Sequence, residues 1–271
     1  MTRLTETAFA KINLALHVRR RRPDGYHDLE SIFAFADQGD ILNGVSADGI
    51  SLAINGRFAT GLSNGAENLV MRAAVALQSA FGISTGAALS LEKNLPIASG
   101  IGGGSADAAA ALRLLARMWG IDPADPQILE IAAVLGADVP PCLASNSLFG
   151  AGRGDILSPI NIAFEGAPLL LVNPLVPLST GTVFAGWDGA DRGPIDVADP
   201  ASWRNDLTTP ALSIVPAIAD ILDQLGGQSG ARFVRMSGSG ATCFAVFETP
   251  EDAAAAAGSF PDAWTLLTHI R

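Results

Sequence analysis

The chain has 271 residues, of which 49% are hydrophobic and 16% are charged. This composition excludes a disordered chain, and the length suits one large domain or two smaller ones. Lys and Arg total 17 against 27 Asp and Glu, a net charge of -10, which makes the chain a poor general nucleic-acid binder. A small polyanion can still bind such a chain where amides and cations converge in a cleft.

Sequence features also bear on the compartment. No stretch sustains about 18 apolar residues, and the first residues lack the apolar segment of a signal peptide, so we expect neither a membrane span nor secretion. Cys142 and Cys243 lie far apart without metal-type spacing, which indicates thiols in a reducing compartment. We therefore expect a cytoplasmic protein without a membrane or nucleic-acid partner, as a monomer or a weak homodimer.

The first predicted element is a strand, AFAKINLALHV, in which apolar and polar residues alternate. Ile12 and Leu14 lie on one face, and Lys11 and Asn13 lie on the other. The segment RRRRPDGYHD then contains the turn signal Pro-Asp-Gly. Further strands, broken by Gly, Asp and Asn, are predicted in ESIFAFADQGDILNGVSA and GISLAING.

The middle of the chain is predicted to be mainly helical. ENLVMRAAVALQSAF has a helical apolar stripe, and Gly82 follows it at the position of a C′ residue. The strand ALSLEK precedes a glycine loop and a helix that ends near Trp119. PQILEIAAVLG is a second helix, and SLFGAGRGDIL is strand-like.

The C-terminal part mixes strands and helices without a βαβ repeat. APLLLVNP is a buried strand, LSTGTVFAGWDGADRGP is loop-rich, and TPALSIVPAIADILDQLG is a helix that contains Pro216. ARFVRMSGSGATCFAVFE gives two strands around a Gly/Ser turn, before the helix PEDAAAAAGSF. The pattern predicts an α+β fold with two lobes, residues 1–158 and 159–271.

The stretch PIASGIGGGSADAAAALRLL places several glycines directly before an alanine-rich helix. A helix N-terminus has unpaired N–H groups and a partial positive charge, and glycines let the backbone approach a ligand closely, so the junction predicts an anion site. Ser105 can cap the helix, contact a phosphate or help to hold a metal. The alternative is a flexible loop before a core helix. The absence of Lys-Ser or Lys-Thr after the loop excludes a Walker A motif.

This stretch resembles the phosphate-binding motif of the GHMP kinases. AFAKINLALHV resembles their N-terminal motif, and MSGSGATCFAVF resembles their C-terminal glycine motif, so the likeness covers nearly the whole chain. It implies a two-lobed α+β fold, with the ATP-binding and catalytic site in residues 1–158 and a smaller substrate-side lobe in 159–271. Ala106 departs from a common serine, which leaves Ser105 as the hydroxyl of the loop.

Within the GHMP kinases, the segment DGYH resembles the cytidine-recognition segment of one group of enzymes. These enzymes use ATP to phosphorylate the 2-hydroxyl group of a methylerythritol that carries a cytidine diphosphate group, in the non-mevalonate isoprenoid pathway. The resemblance implies ATP and Mg²⁺ as cosubstrate and cofactor, with a small-molecule acceptor. We assign no residue as a metal ligand.

The resemblance assigns Asp138 as the general base and Lys11 as its cationic partner. A nearby lysine would keep the aspartate ionised, lower the pKa of the attacking hydroxyl and offset negative charge in the transition state. Asn13 would orient the hydroxyl or a phosphate. The structural alternatives are a capping role for Asp138, an exposed strand lysine for Lys11 and simple solvation for Asn13.

The same resemblance assigns Tyr26 and His27 to the cytosine base, Tyr26 by stacking and His27 by hydrogen bonds from its ring and backbone. Phe184 is the expected second stacking ring, and Thr180 is a substrate contact. The alternative for DGYH is a turn whose aromatic ring covers the core. The Arg19–Arg22 run is predicted to be a solvated hairpin, with one arginine near the substrate diphosphate as the alternative.

The predicted ATP site combines residues around the adenine with residues on the phosphates. The turn Gly238–Gly240 either lines the substrate site or is only a tight hairpin. Competing functions are another GHMP kinase, a non-catalytic sensor and a nucleic-acid-binding module. The residues assigned to ATP are Asn68, Lys93, Pro96, Gly100, Gly102, Gly103, Gly104 and Ser105.

Overall fold

A computed structural model describes residues 3–271 of the chain as a mixed α+β fold. Its strands are β1 Leu4–Arg21, β2 His27–Ala47, β3 Ser51–Asn55, β4 Gly86–Glu92, β5 Leu148–Ala151, β6 Ile156–Pro159, β7 Pro168–Asn173, β8 Ala231–Met236, β9 Cys243–Phe247 and β10 Trp264–His269. Its helices are α1 Leu69–Ala80, α2 Gly103–Trp119, α3 Pro126–Leu135, α4 Val139–Ala144, α5 Thr180–Ala185, α6 Thr208–Ile214, α7 Ala217–Gly226 and α8 Pro250–Ala257. A short 3-10 helix covers Pro200–Ser202.

The structure divides into two compact units that alternate along the chain. The first unit contains the chain up to Ala10, Gln38–Ile97 and Gly102–Ser145. The second contains Lys11–Asp37, Ala98–Ile101 and Asn146–Arg271. The sequence pattern suggests a single boundary after residue 158. The units alternate because β1 and β2 are long strands, each of which contributes residues to both.

In the first unit, strands form a sheet beside buried helices. The second half of β2 pairs antiparallel with β4, with Ile41 opposite Glu92, and β3 pairs parallel with β4. Helix α2 packs against α1 and α4. Residues 108–111 of α2 are alanines that are fully buried. Their small side chains let neighbouring elements approach this helix closely.

In the second unit, four antiparallel strands form a sheet in the order β10, β7, β9, β8. Every residue of β7 and of β9 is buried, which fits their central positions and their near-continuous apolar sequences. Helix α7 packs on β8 and β9 through Ile218 and Leu225. The first half of β2 pairs antiparallel with β5, and β5 with β6.

The structure corrects several sequence predictions. The segment expected as strands broken by Gly, Asp and Asn is one strand, β2, because it pairs with β4 over its last residues, with β5 nearer its start, and also with β1. The helix expected across Pro216 is two helices, since proline lacks an N–H donor and disfavours helical geometry at Val215. The pattern misses β10, and it misses α4 and α5, which are only six residues long.

Two features relate to the predicted compartment. None of the helices in residues 3–271 has the length and apolar character needed to cross a membrane. Cys142 and Cys243 are buried thiols, and burial raises the pKa of Cys243 to about 12. Cys243 is therefore an unreactive core residue at neutral pH.

Candidate active site

The N-terminus of α2 has the geometry of an anion site. The helix begins at Gly103, and its N-cap, Gly102, has a φ of 66° and no side-chain cap hydrogen bond. A residue with a Cβ is strained in this left-handed conformation, so the position favours glycine. The N–H groups of Gly103, Gly104 and Ser105 have no acceptor within the helix. The expectation that Ser105 caps the helix is wrong, because Ser105 lies inside the first turn.

Helix α1 begins beside this loop. Asn68 is its N-cap: the side-chain oxygen accepts from the Val70 N–H at 2.9 Å, and the side-chain amide donates to the Ser63 carbonyl at 2.7 Å. A Cβ built on Gly104 would lie 3.7 Å from the side chain of Leu69. The first unit therefore brings Asn68 and the glycine loop together, and the side chain of Asn68 has a structural role.

Below the first turn of α2 lies a buried charge cluster of Asp40, Lys93 and Asp107. The Lys93 ammonium donates to Asp40 and, at 2.7 Å, to Asp107. The side chains of Lys93, Asp40 and Asp107 are 3%, 0% and 5% exposed, so the cluster is shielded from water. A Cβ on Gly103 would lie 3.2 Å from the ammonium. Lys93 is therefore an interior residue under the loop, and not a solvated charge at a strand end.

The cluster is anchored to the backbone on the Asp40 side. The second oxygen of Asp40 accepts from the N–H groups of Asn94 and Leu95, at 2.5 and 2.8 Å. On the other side, one oxygen of Asp107 is buried without a hydrogen-bond partner among residues 3–271. Burial raises the pKa of Asp107 to about 7 against the opposing charge of Lys93, and Asp40 adds to the rise. Burial disfavours the charged form of Lys93, but the attraction of the two carboxylates outweighs this effect. The pKa of Lys93 is therefore raised.

We predict that the stability of Asp107→Asn, compared with that of the wild type at the same pH, increases as the pH rises. The pKa of Asp107 is higher in the folded than in the unfolded state, so the wild type is favoured below the ordinary value of 3.8 and loses that advantage as the pH rises to about 7. The amide of the variant would not titrate. Urea unfolding at pH 5 and pH 8 should show a stability difference, variant minus wild type, that is larger at pH 8. A constant difference would contradict this assignment.

Asp138 lies at the N-terminus of α4, in the first unit. It is the N-cap by position, but its side chain makes no cap hydrogen bond, so the capping alternative does not account for it. On α2, the Arg113 guanidinium donates to the Cys142 carbonyl at 2.7 Å and to the Thr7 carbonyl at 2.9 Å. Arg113 also pairs with Glu6 at 2.8 Å. These contacts fix α4, and with it the backbone of Asp138, relative to α2.

Lys11 and Asn13 lie on β1 in the second unit, and each is 3% exposed. The Lys11 ammonium donates to the side-chain oxygen of Asn13 at 3.2 Å and lies 4.7 Å from the ring centre of Phe33. The Asn13 amide donates to the Ser31 hydroxyl at 2.8 Å. The alternatives of an exposed lysine and a solvated asparagine are therefore wrong. Two polar side chains are held rigidly on a buried strand.

The first part of the glycine loop packs against the second glycine turn. Ser237 donates to the Gly100 carbonyl at 2.9 Å, and its hydroxyl accepts from the Asn13 N–H at 3.2 Å. A Cβ on Gly100 would lie 2.5 Å from the Ser237 carbonyl oxygen, and one on Gly238 would lie 3.2 Å from the Asn13 side chain. Both glycines are therefore required for this close approach. The turn Gly238–Gly240 therefore packs against Asn13.

Aromatic residues surround His27 in the second unit. The Phe184 ring centre lies 5.0 Å from that of His27, and the Trp187 ring meets it edge-on at 5.7 Å. His27 is 8% exposed, whereas the adjacent Tyr26 is 57% exposed with the Arg153 guanidinium over its ring. The structure thus brings His27 and Phe184 together beside an exposed ring. Thr180 lies 3.0 Å from the Ser239 hydroxyl, oxygen to oxygen, and so adjoins the second glycine turn.

The arginine run is mostly neutralised by nearby carboxylates. Arg19 pairs with Glu30 and Asp191, and Arg20 and Arg22 both pair with Asp28. These pairs support the prediction of a surface hairpin. Arg21 differs, because its guanidinium donates to the ring of His27.

The predicted residues therefore form two groups, one in each unit. The first holds the start of α2 with Asn68, Lys93 and Asp138, and the second holds Lys11 and Asn13 with the aromatic residues. Sequence reasoning missed the partners Asp40, Ser31 and Ser237, which lie far along the chain from the residues that they contact. Within residues 3–271, no three His, Cys, Asp or Glu side chains are grouped so as to hold a metal ion.

Comparison with known proteins finds similarity over the whole chain. Residues 68–146 match the GHMP kinases N terminal domain, and residues 191–265 match the GHMP kinases C terminal domain. A 4-diphosphocytidyl-2-C-methyl-D-erythritol kinase of Rhizorhabdus wittichii is 52% identical, with 98% of this chain and 94% of that protein covered. A protein of the same name from Novosphingobium aromaticivorans is 49% identical, with 97% and 91% covered.

Solved structures show the same similarity in three dimensions. The crystal structure of a 4-(cytidine 5'-diphospho)-2C-methyl-D-erythritol kinase superposes with a TM-score of 0.83 at 31% identity, with 98% of this chain and 99% of that chain covered. A homoserine kinase from Cytophaga hutchinsonii gives a TM-score of 0.71 at 16% identity, with 100% and 95% covered. At that identity, the second likeness concerns the fold alone.

Proposed function

Because the chain belongs to the GHMP kinases and, within them, to the 4-diphosphocytidyl-2-C-methyl-D-erythritol kinases, we propose that it is such an enzyme. It transfers the γ-phosphoryl group of ATP to the 2-hydroxyl group of 4-diphosphocytidyl-2-C-methyl-D-erythritol, in the non-mevalonate isoprenoid pathway. The hydroxyl oxygen forms a bond to the γ-phosphorus, the bond to the leaving oxygen breaks, and ADP departs. The observation that carries the choice of acceptor is the aromatic group around His27.

The start of α2 is the proposed phosphate site. The N–H groups of Gly103, Gly104 and Ser105 point out of the helix end, and the helix dipole favours negative charge there. Gly100 and Gly102 give the loop the conformation that permits close approach. Asn68, Lys93 and Pro96 stay our prediction for the adenine side, where Asn68 and Lys93 would act through the backbone that their side-chain hydrogen bonds fix.

Asp138 is the proposed general base. It would take the proton that the 2-hydroxyl group loses as its oxygen attacks the γ-phosphorus. A kinase active site supplies mainly positioning and charge stabilisation, so one carboxylate at the hydroxyl suffices for the proton. Its position supports this role, because Asp138 begins α4, and Arg113 ties α4 to the helix of the proposed phosphate site.

Lys11 is the proposed cation of the reaction. Its charge would lower the pKa of the attacking hydroxyl and stabilise the negative charge that develops on the transferred phosphoryl group. Asn13 would orient Lys11, since its side-chain oxygen accepts from the ammonium at 3.2 Å. Burial of both side chains supports this proposal, because a rigid charge needs little reorganisation during the reaction.

Mg²⁺ is proposed as the ion that accompanies ATP. The described residues contain no acidic cluster for a protein-bound metal, and in kinase sites Mg²⁺ commonly keeps several waters and binds the phosphates of the substrate. Ser105 supplies a hydroxyl oxygen, the ligand type that Mg²⁺ accepts, beside the proposed phosphate site. When bound, the ion supplies positive charge to the phosphates.

The cytidine end of the substrate is assigned to Tyr26, His27 and Phe184. Tyr26 and Phe184 offer ring faces for stacking, and the ring and backbone of His27 can read the base edge. Homoserine kinase or mevalonate kinase would have no base to stack here. Competitive inhibition of the reaction by cytidine nucleotides, with no inhibition of a homoserine or mevalonate kinase under the same conditions, would test this assignment.

We predict that Tyr26→Ala raises KM for the cytidine substrate by about 5- to 150-fold and leaves KM for ATP nearly unchanged. Stacking on an aromatic ring contributes about 1–3 kcal/mol per base. Tyr26 is 57% exposed, so the loss of its ring should not unfold the protein. The matched control is Tyr26→Phe, which keeps the ring and should retain a normal KM. If both KM values move together in Tyr26→Ala, the stacking assignment is wrong.

Compartment and assembly stay predictions. The two buried thiols support a reducing compartment, and we propose that the enzyme acts in the cytoplasm as a monomer or a weak homodimer.

A further inference from the structure

The ring of His27 has a defined environment on three sides. Phe184 and Trp187 fix the plane of the ring, with interplanar angles of 35° and 84°. The Nε atom of Arg21 donates to Nε2 of His27 at 3.4 Å. Within residues 3–271, Nδ1 of His27 has no hydrogen-bond partner. The atom is not fully buried, so it retains access to solvent.

The contact with Arg21 determines the tautomer of His27. A guanidinium has only donors, so Nε2 must accept and carries no proton. A neutral imidazole has one N–H group, which must then be on Nδ1. The ring also stays neutral at physiological pH, because burial, and then the charge of Arg21, lower the pKa of His27. His27 therefore presents an N–H donor at its open nitrogen.

We propose that Arg21 is a positioning residue that fixes the Nδ1-protonated form of His27 and thereby makes the substrate site select cytosine over uracil. This inference rests on the proposed function, since it concerns the base of the same substrate. It also separates Arg21 from the other three arginines of the run, each of which is paired with a carboxylate.

The selection follows from the edges of the two bases. Cytosine has acceptors at N3 and O2, whereas uracil has a donor at N3. An Nδ1–H donor complements N3 of cytosine and meets a second donor at N3 of uracil. A site built to hydrogen-bond a base edge discriminates strongly against an edge that leaves its buried groups unpaired. Without Arg21, the proton of His27 can move to Nε2, and Nδ1 can then accept from uracil.

The described residues around His27 indicate that Arg21, and no other group among them, fixes the Nδ1-protonated form of the ring. The Phe184 and Trp187 side chains that pack on His27 carry no charge, and Arg21 is the charged group that acts on the pKa of His27. Arg20 offers a matched control next to it in sequence. Its side chain is 77% exposed and pairs with Asp28, and not with the ring.

The first test reads the tautomer directly. Nitrogen-15 spectra of histidine-labelled protein, assigned with a His27→Asn variant, should show a protonated Nδ1 and an unprotonated Nε2 for His27. In Arg21→Met the two nitrogen shifts should move towards each other as the tautomers mix, and the pKa of His27 should rise. Arg20→Met should match the wild type. A protonated Nε2 in the wild type would overturn the proposal.

The second test reads base selection without turnover. Dissociation constants are measured for cytidine 5'-diphosphate and uridine 5'-diphosphate with wild type, Arg21→Met and Arg20→Met. The preference for the cytidine nucleotide should shrink by about tenfold in Arg21→Met and stay at the wild-type value in Arg20→Met. An unchanged preference in Arg21→Met overturns the proposal. If neither nucleotide binds the wild type, the proposed substrate is wrong and the specificity role of Arg21 is rejected with it, whereas the spectra separately decide the tautomer.

Discussion

Asp138→Asn should lower kcat by about 10²- to 10⁴-fold and leave ATP binding near the wild-type value, because a general base contributes about that factor. Asparagine has nearly the same shape and keeps the hydrogen-bonding side chain but cannot take a proton from the 2-hydroxyl group. The side chain makes no cap hydrogen bond, so the substitution should not weaken α4. Single-turnover kinetics and nucleotide titration together give the two values.

Asp125→Asn is the matched control for this prediction. Asp125 is the N-cap of α3, the neighbouring helix, and accepts from the Gln127 N–H at 2.9 Å. Asparagine is an equally good cap, so this variant should keep normal turnover and stability. Unchanged turnover in Asp138→Asn would remove Asp138 as the base. A parallel loss of ATP affinity would instead give Asp138 a binding role.

Lys93→Met should lower the free energy of unfolding by about 3–5 kcal/mol, because removal of one partner from a buried ion pair leaves an uncompensated charge. Asp40 and Asp107 would then face each other across an apolar side chain in a site that excludes water. The ammonium also lies directly under Gly103, so we expect weaker ATP binding in whatever fraction remains folded. Urea unfolding at pH 7 measures the stability, and titration with ATP measures the affinity.

Arg117→Met is the matched control, because it removes a cation from an ion pair that is exposed to solvent. Arg117 pairs with Glu6, but its side chain is 49% exposed, and exposed pairs contribute about 0–1 kcal/mol. Lys93→Met combined with Asp107→Asn should recover part of the lost stability, because one of the two carboxylates no longer carries a charge. A loss below about 1 kcal/mol for Lys93→Met would contradict the account of the cluster.

Local signals in the sequence predict much of the fold. The end of α1 just before Gly82, the glycine loop before α2 and the end of α2 at Trp119 follow from residue types within a few positions. Pro216 is also a local signal, and the structure shows that it separates α6 from α7. The length of β2 is not predictable in this way, since pairing with three other strands, β1, β4 and β5, supports it.

The candidate site residues divide in the same way, into those that local sequence identifies and those that depend on distant contacts. The glycine loop and DGYH are contiguous motifs, and the sequence identifies them. Alternation along β1 places Lys11 and Asn13 on one face but does not tell whether water covers that face. Their burial depends on Ser31 and Ser237, and the second of these lies 224 residues from Asn13.

The charge cluster under α2 could not be predicted from the sequence either. Asp40 and Lys93 are 53 residues apart, and each looks like an ordinary surface charge in its own segment. The cost of burying them is offset by contacts that the fold brings to the same point, namely a third charge and two backbone N–H groups. No local sequence pattern predicts that these groups meet in the folded protein.

Phosphorylation of 4-diphosphocytidyl-2-C-methyl-D-erythritol by the purified protein is the most direct test of the account. ATP consumption is measured with this acceptor and, in parallel, with homoserine and mevalonate. We predict turnover with the cytidyl acceptor alone, with the phosphate on the 2-hydroxyl group of the product. Turnover with homoserine or mevalonate but not with the cytidyl acceptor would contradict the assignment of the aromatic group to cytosine, and absence of turnover with all three would contradict the proposed enzyme itself.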